Sequence, residues 1–230
     1  MKILGIVGGI GPESTVDYYR SLIKMWREQT KDGSSPAILI NSIDLKKMLD
    51  LIAANALSEV TAYLSGEMGR LIRAGADVGL FAANTPHIVF GELQRRSSIP
   101  LISIVEAARD AAKELGLGRL GLFGIRFTMQ GHFYTDVFSK AGIALVVPEE
   151  NEQAYIHDKY INELVKGVFL PETRERLLAI VDRLAKQEDA QGIVLAGTEL
   201  PLILREARPA IPFLDTTQIH LKAALRCLLS

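Results

Sequence analysis

Short apolar runs that do not alternate with polar residues set the terms for this chain. Ile3–Val7, Ala37–Ile40, Val78–Phe81, Leu101–Ile102, Leu120–Phe123, Ala144–Val147, Ile193–Leu195 and Pro212–Leu214 are apolar at nearly every position. A strand with one wet face alternates in polarity, whereas a strand covered on both faces does not. Amphipathic segments with a helical period separate the runs, among them Ser58–Ala74, Ile104–Leu115, Tyr155–Val165 and Pro171–Lys186. Strand and helix in alternation predict an α/β fold of parallel sheets joined by right-handed crossovers.

The pattern also occurs twice. LGIVGGIGPESTVDYY at the start has a partner in LGLFGIRFTMQGHFY, with Leu4–Gly8 matching Leu120–Gly124 and a threonine and aromatic residues following in both. LFAANTPHIVFGEL is likewise paired with VLAGTELPLILREA. This predicts two similar α/β lobes, an N-terminal one from residues 1–100 with 215–230 and a C-terminal one from residues 101–214. No Pro/Ser-rich linker divides them, so the change near residues 98–104 reads as a lobe boundary without a flexible tether.

Charge and cysteine content remove several function classes. With 26 basic and 27 acidic side chains the net charge is −1, which leaves no electrostatic footprint for nucleic acid and no polybasic membrane patch. The single cysteine, Cys227, can form no internal disulfide, and no Cys/His cluster suggests a metal. No apolar run approaches the ~20 residues that span a bilayer. MKILGIVGG is too short for a signal peptide, and a cytoplasmic protein is expected.

Ligands of open parallel sheets sit beyond the carboxyl ends of the strands. Three such ends here run into helix starts: Gly8–Thr15, Asn84-Thr85-Pro86 and Gly197-Thr198-Glu199. Glycines admit close backbone approach, Asn and Thr cap helices, and proline suits the first helical turn. Each alone is an ordinary cap. Together, three helix N-termini predict a site for a small anion, a carboxylate above all. A dinucleotide fingerprint fails for want of a third glycine after Gly9-x-Gly11 and of a well-placed acid. The P-loop and the G-x-S-x-G nucleophile elbow are absent.

GGIGPEST, AANTPH at 82–87, GLFGIRFTMQGHFY and AGTELPLIL resemble, in order and spacing, the aspartate/glutamate racemase family, and the likeness runs the whole length. The resemblance implies two pseudo-symmetric, flavodoxin-like lobes with the site in the cleft between them. It also implies chemistry without pyridoxal phosphate, any other cofactor or a metal, and commonly a homodimer. Racemisation in the family uses two thiols on opposite faces of the α-carbon. The resemblance sets those positions at Ala82 and Gly197, and neither residue can carry a proton.

The rest of the resemblance is kept. Asn84, Thr85, Thr198 and the Gly9–Pro12 loop match positions that hold substrate carboxylates and the amino group, and Thr128, at the start of the second lobe's counterpart of that loop, is expected to face the cleft. Lys159, or else Lys166, stands where a basic side chain meets the distal carboxylate of an acidic substrate; Lys46 and Lys47 share that ambiguity. Two groups offer themselves as non-thiol bases. His87 follows the first motif and would titrate near neutral pH if turned inward. Glu199 lies at a helix start that favours a carboxylate. The expectation is a cofactor-independent racemase or isomerase acting on a small amino acid or carboxylate, acidic ones included. A carboxylate-binding protein without turnover, or a lyase on the same scaffold, are the alternatives.

Overall fold

The structure, a computed structural model, describes residues 2–204, 207 and 209–230. It divides into two compact units, Met1–Ser103 with His220–Ser230, and Ile104–Ile219.

In the first unit, strands β1 (Ile3–Gly8), β2 (Ala37–Ser42) and β3 (Val78–Phe81) form a parallel sheet in the order β2-β1-β3. Ile3 pairs with Ala37 and Leu4 with Val78. The expected strand at Leu101–Ile102 is reduced to one parallel bridge between Gly79 and Leu101. Pro100 precedes it and has no N–H to extend the ladder, although its carbonyl accepts from Gly79. Successive side chains of β1 and β3 point to opposite faces, and each face meets helices. Leu4, Ile6, Val78 and Leu80 pack with Tyr18, Leu22 and Trp26 of helix α1 (Pro12–Thr30) and with Leu221, Ala224 and Leu228 near the chain end. On the other face Val7 and Phe81 meet α2 (Leu45–Ala53), α3 (Leu57–Arg73) and, past a 3-10 turn at Thr85–Val89, α4 (Phe90–Arg96). Burial on both sides explains the unalternating runs.

The second unit repeats the plan. Helix α5 (Ile104–Glu114) leads into strand β4 (Arg119–Phe123), and β5 (Ala144–Val146), β6 (Ile193–Leu195) and β7 (Phe213–Asp215) complete a parallel sheet ordered β5-β4-β6-β7. One face packs on α5 and α7 (His132–Ser139), which follows the short α6 (Arg126–Gln130). The other packs on α8 (Glu150–Asn162), α9 (Pro171–Gln187) and α10 (Leu200–Leu204).

Two boundaries differ from the sequence expectation. Helix α8 starts five residues before Tyr155, where Glu152 accepts from the Glu149 N–H and pairs with Arg183 of α9. Its Glu-rich first turn carries no apolar period to announce it. Helix α11 (Thr216–Leu229) is divided between the units, the first unit taking it from His220 onward. Its first turn stays with the second unit because Thr216 donates to the Leu195 carbonyl at 2.7 Å.

Candidate functional site

At the mouth of β1 the backbone turns through Gly9 (φ +78°) and Gly11 (φ +98°) into Pro12, the first residue of α1. A β-carbon on Gly9 would lie 2.4 Å from the Ile43 carbonyl oxygen, so only glycine fits. Thr15 staples the loop from inside: its hydroxyl accepts from the Gly9 N–H at 2.8 Å and donates to the Gly11 carbonyl at 3.2 Å. The Gly9 N–H, expected to meet a ligand, is thus already engaged within the loop. Ser14 ties the helix to the neighbouring strand end by donating to the Ala82 carbonyl at 3.2 Å.

At the mouth of β3 a further expectation changes. Ala82 is fully buried and its methyl lies in the layer of Tyr18, Leu80 and Leu221, facing core and no opening. Ala83, between it and Asn84, turns to the opposite layer. Alanine at both positions leaves this strand end without a thiol, whichever of the two is taken. Asn84 is buried and Thr85 half-buried at the start of the 3-10 turn.

His87 is 5% exposed, and its ring stacks on Phe90 with centroids 4.6 Å apart. Its Nδ1 lies 3.2 Å from the Asn84 carbonyl oxygen. A carbonyl only accepts, so Nδ1 carries the proton. Burial first, and then the neighbouring His220, push its pKa down to about 3. Burial thus disfavours the protonated ring that a base titrating near neutrality would form, and His87 is hydrogen-bonded within its own turn. His220 is similar. Its Nε2–H donates to the Ile102 carbonyl at 2.9 Å, Nδ1 accepts from the Tyr18 hydroxyl at 2.9 Å, and burial lowers its pKa to about 4.

In the second unit the end of β4 passes through Gly124 into α6. A β-carbon at Gly124 would sit 2.9 Å from both the Thr128 side chain and the Ala196 carbonyl oxygen, so Thr128 is pressed against the adjoining strand ends. Thr128 is 1% exposed, and its hydroxyl has no hydrogen-bond partner among the described residues. A buried hydroxyl left open in this way keeps the capacity for one more hydrogen bond.

The end of β6 holds the densest polar arrangement. Gly197, Thr198 and Glu199 are all buried, Glu199 at 1% exposure. A β-carbon on Gly197 would lie 2.4 Å from Cε2 of Tyr160 and 3.1 Å from its hydroxyl oxygen. The space a side chain at 197 would use is filled by the Tyr160 ring. The Tyr160 hydroxyl donates to Glu199 Oε2, and the Thr198 hydroxyl donates to the same oxygen at 2.9 Å. Burial, and then the negative charge of Glu199, raise the Tyr160 pKa well above the usual phenol value.

Tyr160 escapes a reading of the sequence because an aromatic residue on a helix reads first as core. The available signal was Gly197: a glycine at a buried strand end marks the close approach of another group. Lys159, one residue earlier, is engaged within its own helix. Its ammonium is paired with Glu163 along α8, and Thr173 also donates to that carboxylate. The helix-dipole expectation narrows as well. The turn at Thr85–Val89 is a five-residue 3-10 turn, too short for a substantial macrodipole, whereas α1 is long. Among the described residues no group of three or more His, Cys, Asp or Glu could hold a metal ion, and no helix is long and apolar enough to cross a membrane.

Comparison with known proteins agrees with this architecture. The family model for Asp/Glu/hydantoin racemase matches residues 7–224. The broad specificity amino-acid racemase RacX of Bacillus subtilis is 23% identical over 231 residues, covering 97% of this chain and 96% of that protein. A Yersinia pestis protein provisionally assigned as an Asp/Glu racemase superposes with a TM-score of 0.90 at 30% identity, all of both chains covered. PH1733, an aspartate racemase homologue from Pyrococcus horikoshii, gives 0.87 at 30% identity, again over both whole chains. Doubled parallel sheets, strand-end motifs in register and full-length likeness lead to one assignment: the chain belongs to the Asp/Glu/hydantoin racemase family, and with it to the racemase-type isomerases.

Proposed function

We propose that this protein interconverts the stereochemistry of a small amino acid by cofactor-independent proton transfer that uses no thiol. The observation that carries this reading is the buried cluster at the end of β6, where a phenol and a carboxylate occupy the surroundings of Gly197. Cys227, the single cysteine, lies on α11 away from both strand-end motifs in sequence. Glu199 is then the leading base, while the low pKa of His87 withdraws it from that role. Asn84, Thr85, Thr128 and Thr198 are the proposed substrate-holding groups. The names of the relatives favour an amino-acid substrate. Lys159 and Lys46 are engaged by Glu163 and Asp50, which supports a substrate range not confined to aspartate and glutamate. We further read the protein as a cytoplasmic homodimer, which sedimentation analysis checks.

The test is incubation with L- and D-amino acids in deuterated water, followed by proton NMR and chiral chromatography. The expected result is α-deuteration and loss of enantiomeric purity for at least one amino acid. A second reading, a carboxylate-binding protein without turnover, is favoured by alanine and glycine at the thiol positions. Calorimetric binding without any α-exchange across aspartate, glutamate and neutral amino acids would establish it instead.

A further inference from the structure

We propose that Tyr160 is the catalytic group at the end of β6, passing a proton between the substrate α-carbon and Glu199. This inference rests on the racemase reading above and names the atom through which Glu199 acts.

The geometry points to the hydroxyl, which lies 3.1 Å from where a β-carbon at 197 would be. A side chain at that position would reach toward the same space, and the Tyr160 ring forecloses it. The hydroxyl is committed to Glu199 Oε2, which Thr198 holds from another side. Glu199 itself is almost wholly buried and presents its proton-accepting oxygen to the phenol. An independent observation points to a ligand at the adjoining strand end: the buried Thr128 hydroxyl has no protein partner among the described residues.

The step balances without a free phenolate. As the Cα–H bond breaks, its electron pair stays on the α-carbon. The proton passes to the Tyr160 oxygen while the original phenolic proton passes to Glu199 Oε2. The phenol ends neutral and the carboxylate becomes a carboxylic acid. Return of the proton from Glu199 through Tyr160 restores the starting enantiomer; a water proton delivered to the opposite face of the planar carbanion gives the other one, and Glu199 then gives its proton to the hydroxide left behind. The raised phenol pKa suits a conduit, since a phenolate beside the Glu199 charge is disfavoured in a dry site.

The test compares Tyr160→Phe, Glu199→Gln and the double variant in the α-deuteration assay, with calorimetric binding of the same amino acid alongside. Tyr160→Phe keeps the ring and is expected to lower exchange about 100-fold or more, in the range of a lost acid–base group, with affinity nearly unchanged. Glu199→Gln is expected to match it, and the double variant to lose no more than either single one, because the two act as a unit. Exchange retained by folded Tyr160→Phe, or losses that multiply in the double variant, would overturn the relay while leaving the racemase reading intact. If Tyr160→Phe does not fold, exchange retained by Glu199→Gln overturns the relay in its place. Absence of exchange in the unaltered protein would overturn both.

Discussion

The Tyr18 hydroxyl donates a 2.9 Å hydrogen bond to Nδ1 of His220, joining the first helix of the chain to the last. The acceptor must be a neutral imidazole, because the other ring nitrogen gives its proton to the Ile102 carbonyl. His220 and His87, whose ring centroids lie 6.5 Å apart, therefore form a buried uncharged pair.

Acid should loosen the fold through these two rings. Their folded pKa values are lowered to about 4 and about 3, against 6.5 for the free side chain. Below pH 6.5 the unfolded chain takes up protons that the folded chain refuses, so stability falls as pH drops toward those values and is flat above about pH 7. Within the window each ring contributes up to about 1.4 kcal/mol per pH unit. Thermal melts from about pH 7.5 down to about pH 4.5 should show midpoints declining below pH 6.5, and His220→Gln should make the decline shallower. An identical decline in that variant would place the acid sensitivity elsewhere.

Gly197→Ala should destabilise by about 1–3 kcal/mol, since its methyl overlaps the Tyr160 ring. The same alanine introduced together with Tyr160→Ala should add little further loss, because the obstructing ring is gone. Urea titration of the two single variants and the double gives the coupling. Strict additivity would refute the overlap.

Thr128→Val removes a hydroxyl that bonds to no described protein group. Midpoints in urea should stay level or rise, because no internal hydrogen bond is lost. Substrate affinity should weaken by up to about tenfold, the worth of one hydrogen bond to a ligand. A variant that loses stability while binding normally would give Thr128 a structural role.

Gly9 and Gly33 have nearly the same positive φ, +78° and +80°, but opposite surroundings. Nothing lies within 4 Å of a β-carbon at Gly33, whereas Gly9 faces the Ile43 backbone at 2.4 Å. Gly33→Ala should cost about 1 kcal/mol of backbone strain, and Gly9→Ala about 3 kcal/mol or more, since strain and collision combine. Equal losses in chemical denaturation would show that the loop can move away from Ile43.

Fold and family were legible in the sequence because both rest on local patterns. Runs such as Val78–Phe81 are apolar throughout because residues 78 and 80 meet one helix layer and residue 81 the other. The β6 motif was legible for the same reason, with Gly197, Thr198 and Glu199 contiguous in the chain. The chemistry around it was not, because it depends on a contact across 39 positions between Tyr160 and Glu199. His87 misled for a different reason. Its type suggests titration near neutral pH, but burial decides the outcome, and burial depends on Phe90 and His220, which no motif brings together. Lys159 reads as a free cation until the helix pitch sets Glu163 beside it.

The shared last helix bears on how the protein folds. Leu221, Ala224 and Leu228 belong to the core of the amino-terminal unit, yet the whole of the other unit precedes them in the chain. The other unit, Ile104–Ile219, is continuous in sequence and lies between the two pieces of the first. The first unit therefore closes its core across more than a hundred intervening residues, and the entropy of closing so long a loop slows its assembly relative to the continuous unit.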